Sequence, residues 1–380
     1  MAYDEDMIQR YYDLNKLIKP GKALIIFGPR QVGKTTLLSS YLSNVNLKYK
    51  LDSGENLQTQ HILSSQDFDK IQSHVEGYEG FAIDEAQHVP NIGMGLKIIV
   101  DQRPDIKVIA TGSSSFELAG QVGEPLTGRK RTVVLFPISQ IELLSMYNKA
   151  ELRENQEEFL VFGSYPEVIN SKSRQGKIDS LNEIANSYLL RDVLSLEKVK
   201  GSQVLLNLLK LLAFQIGNEV SLNELATQLK IDVKTVDRYI YLLEQSFVIF
   251  RLSGFSRNLR KEISKKNKYY FIDNGVRNAV ISQFNPLNLR NDAGALFENF
   301  VVSERMKKRA YKNIHGYDYF WRTYGQQEVD LVEEREGSLF GYEIKYSQRK
   351  KIRHPKDWLS TYPNASYEII NQDNYLDFII

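Results

Sequence analysis

Gly28-Pro29-Arg30-Gln31-Val32-Gly33-Lys34-Thr35 places two glycines, a lysine and a hydroxyl at the spacing that wraps a polyphosphate, and Thr36 follows directly. Gly28 and Gly33 let backbone N–H groups close around phosphate oxygens. Lys34 would reach the β and γ phosphates, and the Thr35 hydroxyl would hold Mg²⁺. The apolar run Ala23 to Phe27 precedes this loop, and Leu37 and Leu38 open an apolar helical face behind it. Strand, loop and helix in that order are the setting such a loop needs, because the helix start adds its positive dipole end. Gly28, Pro29, Arg30, Gln31, Val32, Gly33, Lys34, Thr35 and Thr36 therefore read as one nucleoside triphosphate site, with ATP and Mg²⁺ as its ligands.

A second set of acids supports that chemistry. Gly80 to Ile83 is an apolar strand that ends in Asp84 and Glu85. Asp84 is placed to hold Mg²⁺, and Glu85 to polarise the water that attacks the γ-phosphate. An acidic pair alone is more often a solvated loop, but after a buried strand it points to hydrolysis. The strand Lys107 to Ala110 runs into Thr111-Gly112-Ser113-Ser114-Ser115, whose hydroxyls suit a polar sensor of the γ-phosphate, Thr111 first among them. A plain Ser/Gly turn is the competing reading of that stretch. Arg129 and Arg131 precede or open a fourth strand near 132–136, where a finger toward a neighbouring subunit's phosphate is expected of Arg129. Two surface arginines would look the same.

Strands at 23–27, 80–83, 107–110 and 132–136, separated by helical stretches, predict an α/β unit built on a parallel sheet. The chain has 380 residues, enough for two or three domains. With no cysteine, disulfides, thiolate zinc sites and iron–sulfur clusters are excluded. No apolar run approaches a membrane span. The opening Met1-Ala2-Tyr3-Asp4-Glu5-Asp6 lacks the basic-then-apolar layout of a secretory leader, so the expected location is the cytoplasm.

The net charge of +2 is unevenly spread. Residues 1–190 hold 20 Lys/Arg against 24 Asp/Glu, whereas residues 191–380 hold 29 against 23. The basic excess gathers at Ser256–Lys268, Arg305–Lys312 and Lys345–Lys356. Any one such run is commonly a solvated face; three in the half without the phosphate loop point to a polyanion.

Three units are expected: 1–200, 201–285 and 286–380. In the second, Ser221 and Glu224 form a capping box ahead of Leu222, Leu225, Ala226 and Leu229 at helical spacing. A second helix puts Val233, Val236, Ile240 and Leu243 on one face and Lys234, Thr235, Arg238 and Tyr241 on the other. Strands at 247–252 and 269–272 flank a basic stretch, completing the outline of a winged helix. Arg257, Arg260, Lys261, Lys265 and Lys266 would then meet DNA phosphates, while Lys234, Thr235 and Arg238 approach the groove. A helical lid on the first unit is the alternative.

In the third unit Glu298 lies on an amphipathic helix, and Tyr319–Arg322, Glu328–Val332 and Leu339–Tyr346 read as consecutive strands. Glu343 and Lys345 share one strand face beside Asp330, by the period of two. Glu298, Asp330, Glu343 and Lys345 could hold Mg²⁺ and activate water against a phosphodiester. Cross-strand charge pairing is the competing reading.

The chain resembles the bacterial and archaeal AAA-type ATPases of the ORC/STAND-like branch that end in a C-terminal domain of unknown function. The resemblance rests on Gly28–Thr36, Ile83-Asp84-Glu85-Ala86-Gln87, Thr111–Ser115, Leu126-Thr127-Gly128-Arg129, Gly163-Ser164-Tyr165-Pro166-Glu167, Tyr188–Asp192 and Leu296-Phe297-Glu298. The tail looks like a PD-(D/E)xK nuclease fold, similar in acidic spacing to archaeal junction resolvases. Val329 stands where such nucleases often carry proline, and Ser164 where the family more often has a second glycine. The resemblance implies an ATPase and a homo-oligomer, with a hexameric ring expected. Duplex or branched DNA is the expected partner. A nucleotide-gated switch for a protein partner and an ATP-licensed metal-dependent nuclease are the alternatives.

Overall fold

The first sheet is built on β1, Ala23–Phe27, whose five residues are all buried. The computed structural model describes residues 8–113, 125–185, 202–255, 267–323, 325, 327–347 and 355–380. Beside β1 lie β4 (Lys107–Thr111) and β5 (Lys130–Val134); β3 (Gly80–Asp84) and β2 (Tyr49–Ser53) continue outward in the order β2-β3-β4-β1-β5. All these pairings are parallel, as the spacing of strands and helices predicts. Alternate side chains serve opposite faces. Ala23, Ile25 and Phe27 pack with Leu63, Ile71 and Leu96, from helices that follow β2 and β3. Leu24 and Ile26 pack with Leu38 and Leu42 of the helix Lys34–Asn44. Both faces are covered, which is the condition under which parallel strands are stable.

The chain leaves β1 toward β2 on one side and returns from β4 to β5 on the other. A crevice therefore opens at the carboxyl ends of β1, β3 and β4, the position where open α/β sheets take ligands.

A second sheet has seven strands in the order β12-β11-β10-β9-β7-β8-β6. It joins β6 (Glu219–Val220), β7 (Ile249–Gly254) and β8 (Asn267–Phe271) to β9 (Tyr317–Arg322), β10 (Glu328–Arg335), β11 (Ser338–Ile344) and β12 (Ser366–Ile370). The β7–β8 hairpin is antiparallel, and β7 pairs in parallel with β9 through Ser253 with Tyr319 and Gly254 with Phe320. The sheet thus runs across the expected boundary at 285/286, and the units 201–285 and 286–380 share it. The helix pair Leu222–Leu229 and Val233–Gln245 forms as the periodicity predicts, with Ser221 and Asp232 as side-chain caps.

The helix Ala293–Tyr311 is the spine of the second half, packed on β8 and β11. It corrects one expectation: Arg305, Lys307, Lys308 and Arg309 of the basic run 305–312 are turned inward and buried, so they are not a surface for a polyanion. Each has a local reason to be there. Arg305 is forked onto Glu333 at 2.7 and 3.0 Å, Lys307 pairs with Glu304 at 2.6 Å, Lys308 donates to the Phe378 carbonyl at 2.9 Å, and Arg309 pairs with Asp318. Three of these buried charges are paired with carboxylates, and the fourth, Lys308, rests on carbonyl oxygens.

The segment Gly163–Pro166 fastens the first sheet's helices to the second half. Asp273 accepts from the Ser164 backbone N–H at 2.7 Å, and Gly163 adopts φ +70° directly against that carboxylate. A Cβ at Gly163 would lie 2.0 Å from the Asp273 Oδ1. Gly163→Ala combines left-handed strain with this overlap and should cost about 2–4 kcal/mol. Thermal and urea unfolding should show the loss, with part of it recovered in Gly163→Ala/Asp273→Ala; an unchanged midpoint in the single variant would contradict the contact.

Candidate nucleotide site and carboxylate cluster

The loop 28–33 leaves β1 in a shape that only its glycines permit. Gly28 has φ +151°, and a Cβ there would stand 2.1 Å from the Leu135 carbonyl oxygen. Gly33 has φ +91° and caps the helix Lys34–Asn44, so the helix start faces the loop. Lys34 is buried, with its Nζ donating at 2.9 Å to the carbonyls of both Gly28 and Pro29. Its ammonium is thus held over the loop's mouth.

The carboxylate of Asp84 closes the site from the end of β3. Thr35 Oγ1 donates to its Oδ2 at 2.7 Å, and Thr111 Oγ1 donates to its Oδ1. The helix Lys34–Asn44, β3 and β4 thus deliver one hydroxyl, one carboxylate and a second hydroxyl to one point. Hard oxygen donors of this kind suit Mg²⁺ in company with phosphate oxygens. Glu85 follows in the left-handed region at φ +51°, which costs about 1 kcal/mol for a residue with a side chain. Gln87 Nε2 donates to its Oε2, and Gly54 leaves room for its carbonyl, where a Cβ would come within 2.2 Å.

A cavity of about 540 Å³ adjoins the loop through Val32, Gly33 and Thr36, and is otherwise lined by residues such as Ile8, Tyr11, Tyr12 and Pro166. Its size suits a ligand of nucleoside dimensions. Sequence reasoning missed these residues, because the segment 8–12 carries no motif; the aromatic pair Tyr11-Tyr12 is the one signal it offers. Arg10 of the same segment is nearly buried and fully engaged. It donates to the Val32 carbonyl in the loop, to the Phe136 carbonyl at 2.6 Å and to Glu142 Oε1 at 2.8 Å.

Arg129 and Arg131 stand elsewhere. The Arg129 carbonyl accepts from Ala23 N–H and Arg131 pairs in register with Leu24, at the amino end of β1, roughly 15 Å from its loop end. Arg129 pairs with Asp101, and Arg131 donates weakly to the Leu17 carbonyl at 3.4 Å. Neither is brought to the loop of its own chain.

Among the expected DNA contacts, Lys234 and Arg238 are exposed on the helix Val233–Gln245. Thr235 is spent on its own helix start: its N–H and Oγ1 donate to Asp232 at 2.9 and 2.6 Å. Arg257, Arg260, Lys261, Lys265 and Lys266 lie outside the described residues, as do Ser114, Ser115 and Tyr188–Asp192.

Glu298, Asp330, Glu343 and Lys345 do come together at the second sheet. Lys345 Nζ lies 2.7 Å from Glu343 Oε1 and 3.6 Å from Asp330 Oδ2. The Ile344 N–H donates to Asp330 Oδ2 at 2.8 Å, and Tyr270 OH donates to Glu298 Oε1 at 2.7 Å. Burial, then the neighbouring Asp330, pushes the Glu298 carboxyl up to about 7. Sequence reasoning missed the cluster's other members, Lys268 and Glu328. Among the described residues, no group of three or more His, Cys, Asp or Glu side chains is arranged to hold a metal ion. No helix among them is long and apolar enough to cross a membrane.

Comparison with known proteins agrees with the first site. Residues 20–144 match a protein-family model described as an AAA domain. Residues 153–288 and 293–378 match two domains of unknown function, DUF8612 and DUF4143. An uncharacterized protein of Mycobacterium tuberculosis is 26% identical over 344 residues, spanning 89% of this chain and 74% of the relative. Another, of Methanocaldococcus jannaschii, is 26% identical over 367 residues, spanning 89% and 79%. Among solved structures, protein VC1899 from Vibrio cholerae aligns over 94% of this chain and 96% of its own at 13% identity, with a TM-score of 0.17. Residues 20–144 are thus similar to AAA domains and carry the phosphate loop and the strand-end carboxylates on a parallel five-stranded sheet.

Proposed function

We propose that this chain hydrolyses ATP with Mg²⁺ and uses the nucleotide to govern how its second half holds DNA. The observation that carries the first part is the convergence of Thr35 and Thr111 on Asp84, with Glu85 next in the chain and its carboxylate held by Gln87 Nε2. In this reading the loop N–H groups and Lys34 bind the β and γ phosphates. Thr35 and Asp84 hold the Mg²⁺ that travels with the nucleotide. Glu85 takes the proton of the attacking water, and Thr111 senses the γ-phosphate. The nucleoside lies in the cavity beside Tyr11 and Tyr12. Arg129 can meet a nucleotide only on a neighbouring chain, so its role as a finger belongs to a homo-oligomer, with a ring of six as the form expected.

Lys34→Ala should lose ATP affinity and all turnover. Glu85→Gln should keep ATP affinity and lower kcat by about 10²–10³, because only water activation is lost. ATP titration and phosphate release measured on both variants check this. Equal loss of binding in the two would assign the roles differently.

A physical link from loop to second sheet supports the idea of nucleotide control. Arg10, held to the loop at Val32, also meets Glu142, and Glu142 accepts from Tyr311 OH at 3.3 Å at the end of the spine helix. Closing the loop on nucleotide changes the position that Arg10 must satisfy, and the spine helix lies at the other end of the same network. The DNA half of the reading rests on the exposed Lys234 and Arg238 and on the basic excess of residues 191–380. Replacing both Lys234 and Arg238 by Ala should weaken binding to forked and duplex DNA whatever their sequence. It should also flatten the dependence of log K on log salt by about two units. An unchanged slope and affinity would favour the protein-partner switch over the DNA reading.

A further inference from the structure

Lys268 is the second residue of β8 and only 1% exposed, although no carboxylate of its own strand neutralises it. Its partners come from two other elements. Its Nζ lies 2.5 Å from Glu328 Oε1 on β10, 3.7 Å from Asp330 Oδ1 on the same strand, and 3.7 Å from Glu298 Oε1 on the spine helix. The Phe320 ring lies below it, 5.5 Å from centroid to Nζ. Gly217 closes in on Glu298, where a Cβ would stand 3.0 Å from Oε1. The ammonium is therefore enclosed on several sides and faces three carboxylates at once.

That is the position a divalent ion would need. A hard cation requires carboxylate oxygens at about 2.0–2.6 Å, converging from separate elements. Glu298, Glu328 and Asp330 come toward one place from the spine helix and β10 without that geometry, and the point they share is taken by a nitrogen fixed to the chain. The other oxygen of Asp330 is already committed to the Ile344 N–H and to Lys345. A metal entering here would have to expel a buried ammonium or sit against it, and like charges at such distances in a poorly hydrated place repel strongly. The carboxylates match the lysine and do not match a metal.

We propose that Lys268 is the resident cation of this cluster, tying β8 to β10 and to the spine helix in the place of a divalent metal, so that the second sheet does not hydrolyse phosphodiesters. The surrounding charges agree. Burial opposes the Lys268 charge, and Glu298, Asp330 and Glu328 outweigh it, holding the ammonium above its ordinary pKa. The inference is independent of ATP hydrolysis and of DNA binding; each can hold without the other.

The test uses the nucleotide-free full-length protein and Mn²⁺ as the probe, followed by calorimetry and electron paramagnetic resonance. Wild type and Asp330→Asn should take up Mn²⁺ alike, with no equivalent that depends on Asp330. Lys268→Ala should gain one equivalent, bound at least tenfold tighter than any Mn²⁺ on wild type and lost again in Lys268→Ala/Asp330→Asn. A wild-type Mn²⁺ site that disappears in Asp330→Asn would overturn the proposal, and so would a folded Lys268→Ala protein that gains no site. Should that variant fail to fold, incubation of wild type with forked DNA and Mn²⁺ still decides: intact strands uphold the proposal, and nicking that Asp330→Asn abolishes overturns it.

Discussion

The buried carboxylate of Glu142 is the contact on which the rest of this molecule depends. It accepts from Arg10 Nε, the Tyr11 N–H, the Ser139 N–H and hydroxyl, and Tyr311 OH. Those donors come from three separate parts of the chain: the segment before β1, the start of a short helix after β5, and the last turn of the spine helix. Arg10 extends the network to the Val32 carbonyl inside the phosphate loop. Removing one partner of such a pair leaves a buried charge uncompensated, at about 3–5 kcal/mol. The packing follows the same line, since one apolar cluster runs without a break from Leu24 and Leu38, through Leu160 and Phe297, to Ile379. The nucleotide domain is therefore not a bead on a linker, and its loop is tied through Arg10 to the residues that Glu142 gathers.

Two aspartates show how surroundings decide what a carboxylate can do. Asp84 and Asp330 each lie on a strand of a sheet, and each receives donors on both oxygens. At Asp84 the donors are two neutral hydroxyls, which can turn their lone pairs toward a cation and share it. At Asp330 they are a backbone N–H and two ammonium groups, which have no lone pairs to offer. Residue types alone would make both sites look fit for Mg²⁺.

This difference also marks the limit of what was legible in the chain. Gly28–Thr36, Asp84-Glu85 and Thr111 could be read with their elements because each is a local pattern: an apolar run, a loop, and a change of period. β1 was read with its observed limits, and β3 and β4 to within one residue. β2 was missed because Tyr49-Lys50-Leu51-Asp52-Ser53 is a half-exposed edge strand with no apolar run. The inward turn of Arg305–Arg309 could not be seen, because its partners Glu333 and Asp318 are placed by strand register and not by spacing along the helix. Lys268 escaped for a related reason. It stood at the end of a run of basic residues and read as one more of them, while the carboxylates that bury it lie on β10 and the spine helix. The fusion of β7 to β9 is likewise a pairing over a long stretch of chain, which local patterns do not record.

The most direct test of this account is hydrogen exchange along Val301–Tyr311 in Glu85→Gln protein, which is expected to hold ATP without turning it over, compared with and without Mg²⁺ and ATP. The account predicts slower exchange in the last turns of the spine helix when nucleotide is present, together with slower exchange in the loop and the helix Lys34–Asn44. Protection confined to the loop and that first helix, with the spine unchanged, would contradict the claim that the network around Glu142 carries the nucleotide's presence into the second half of the chain.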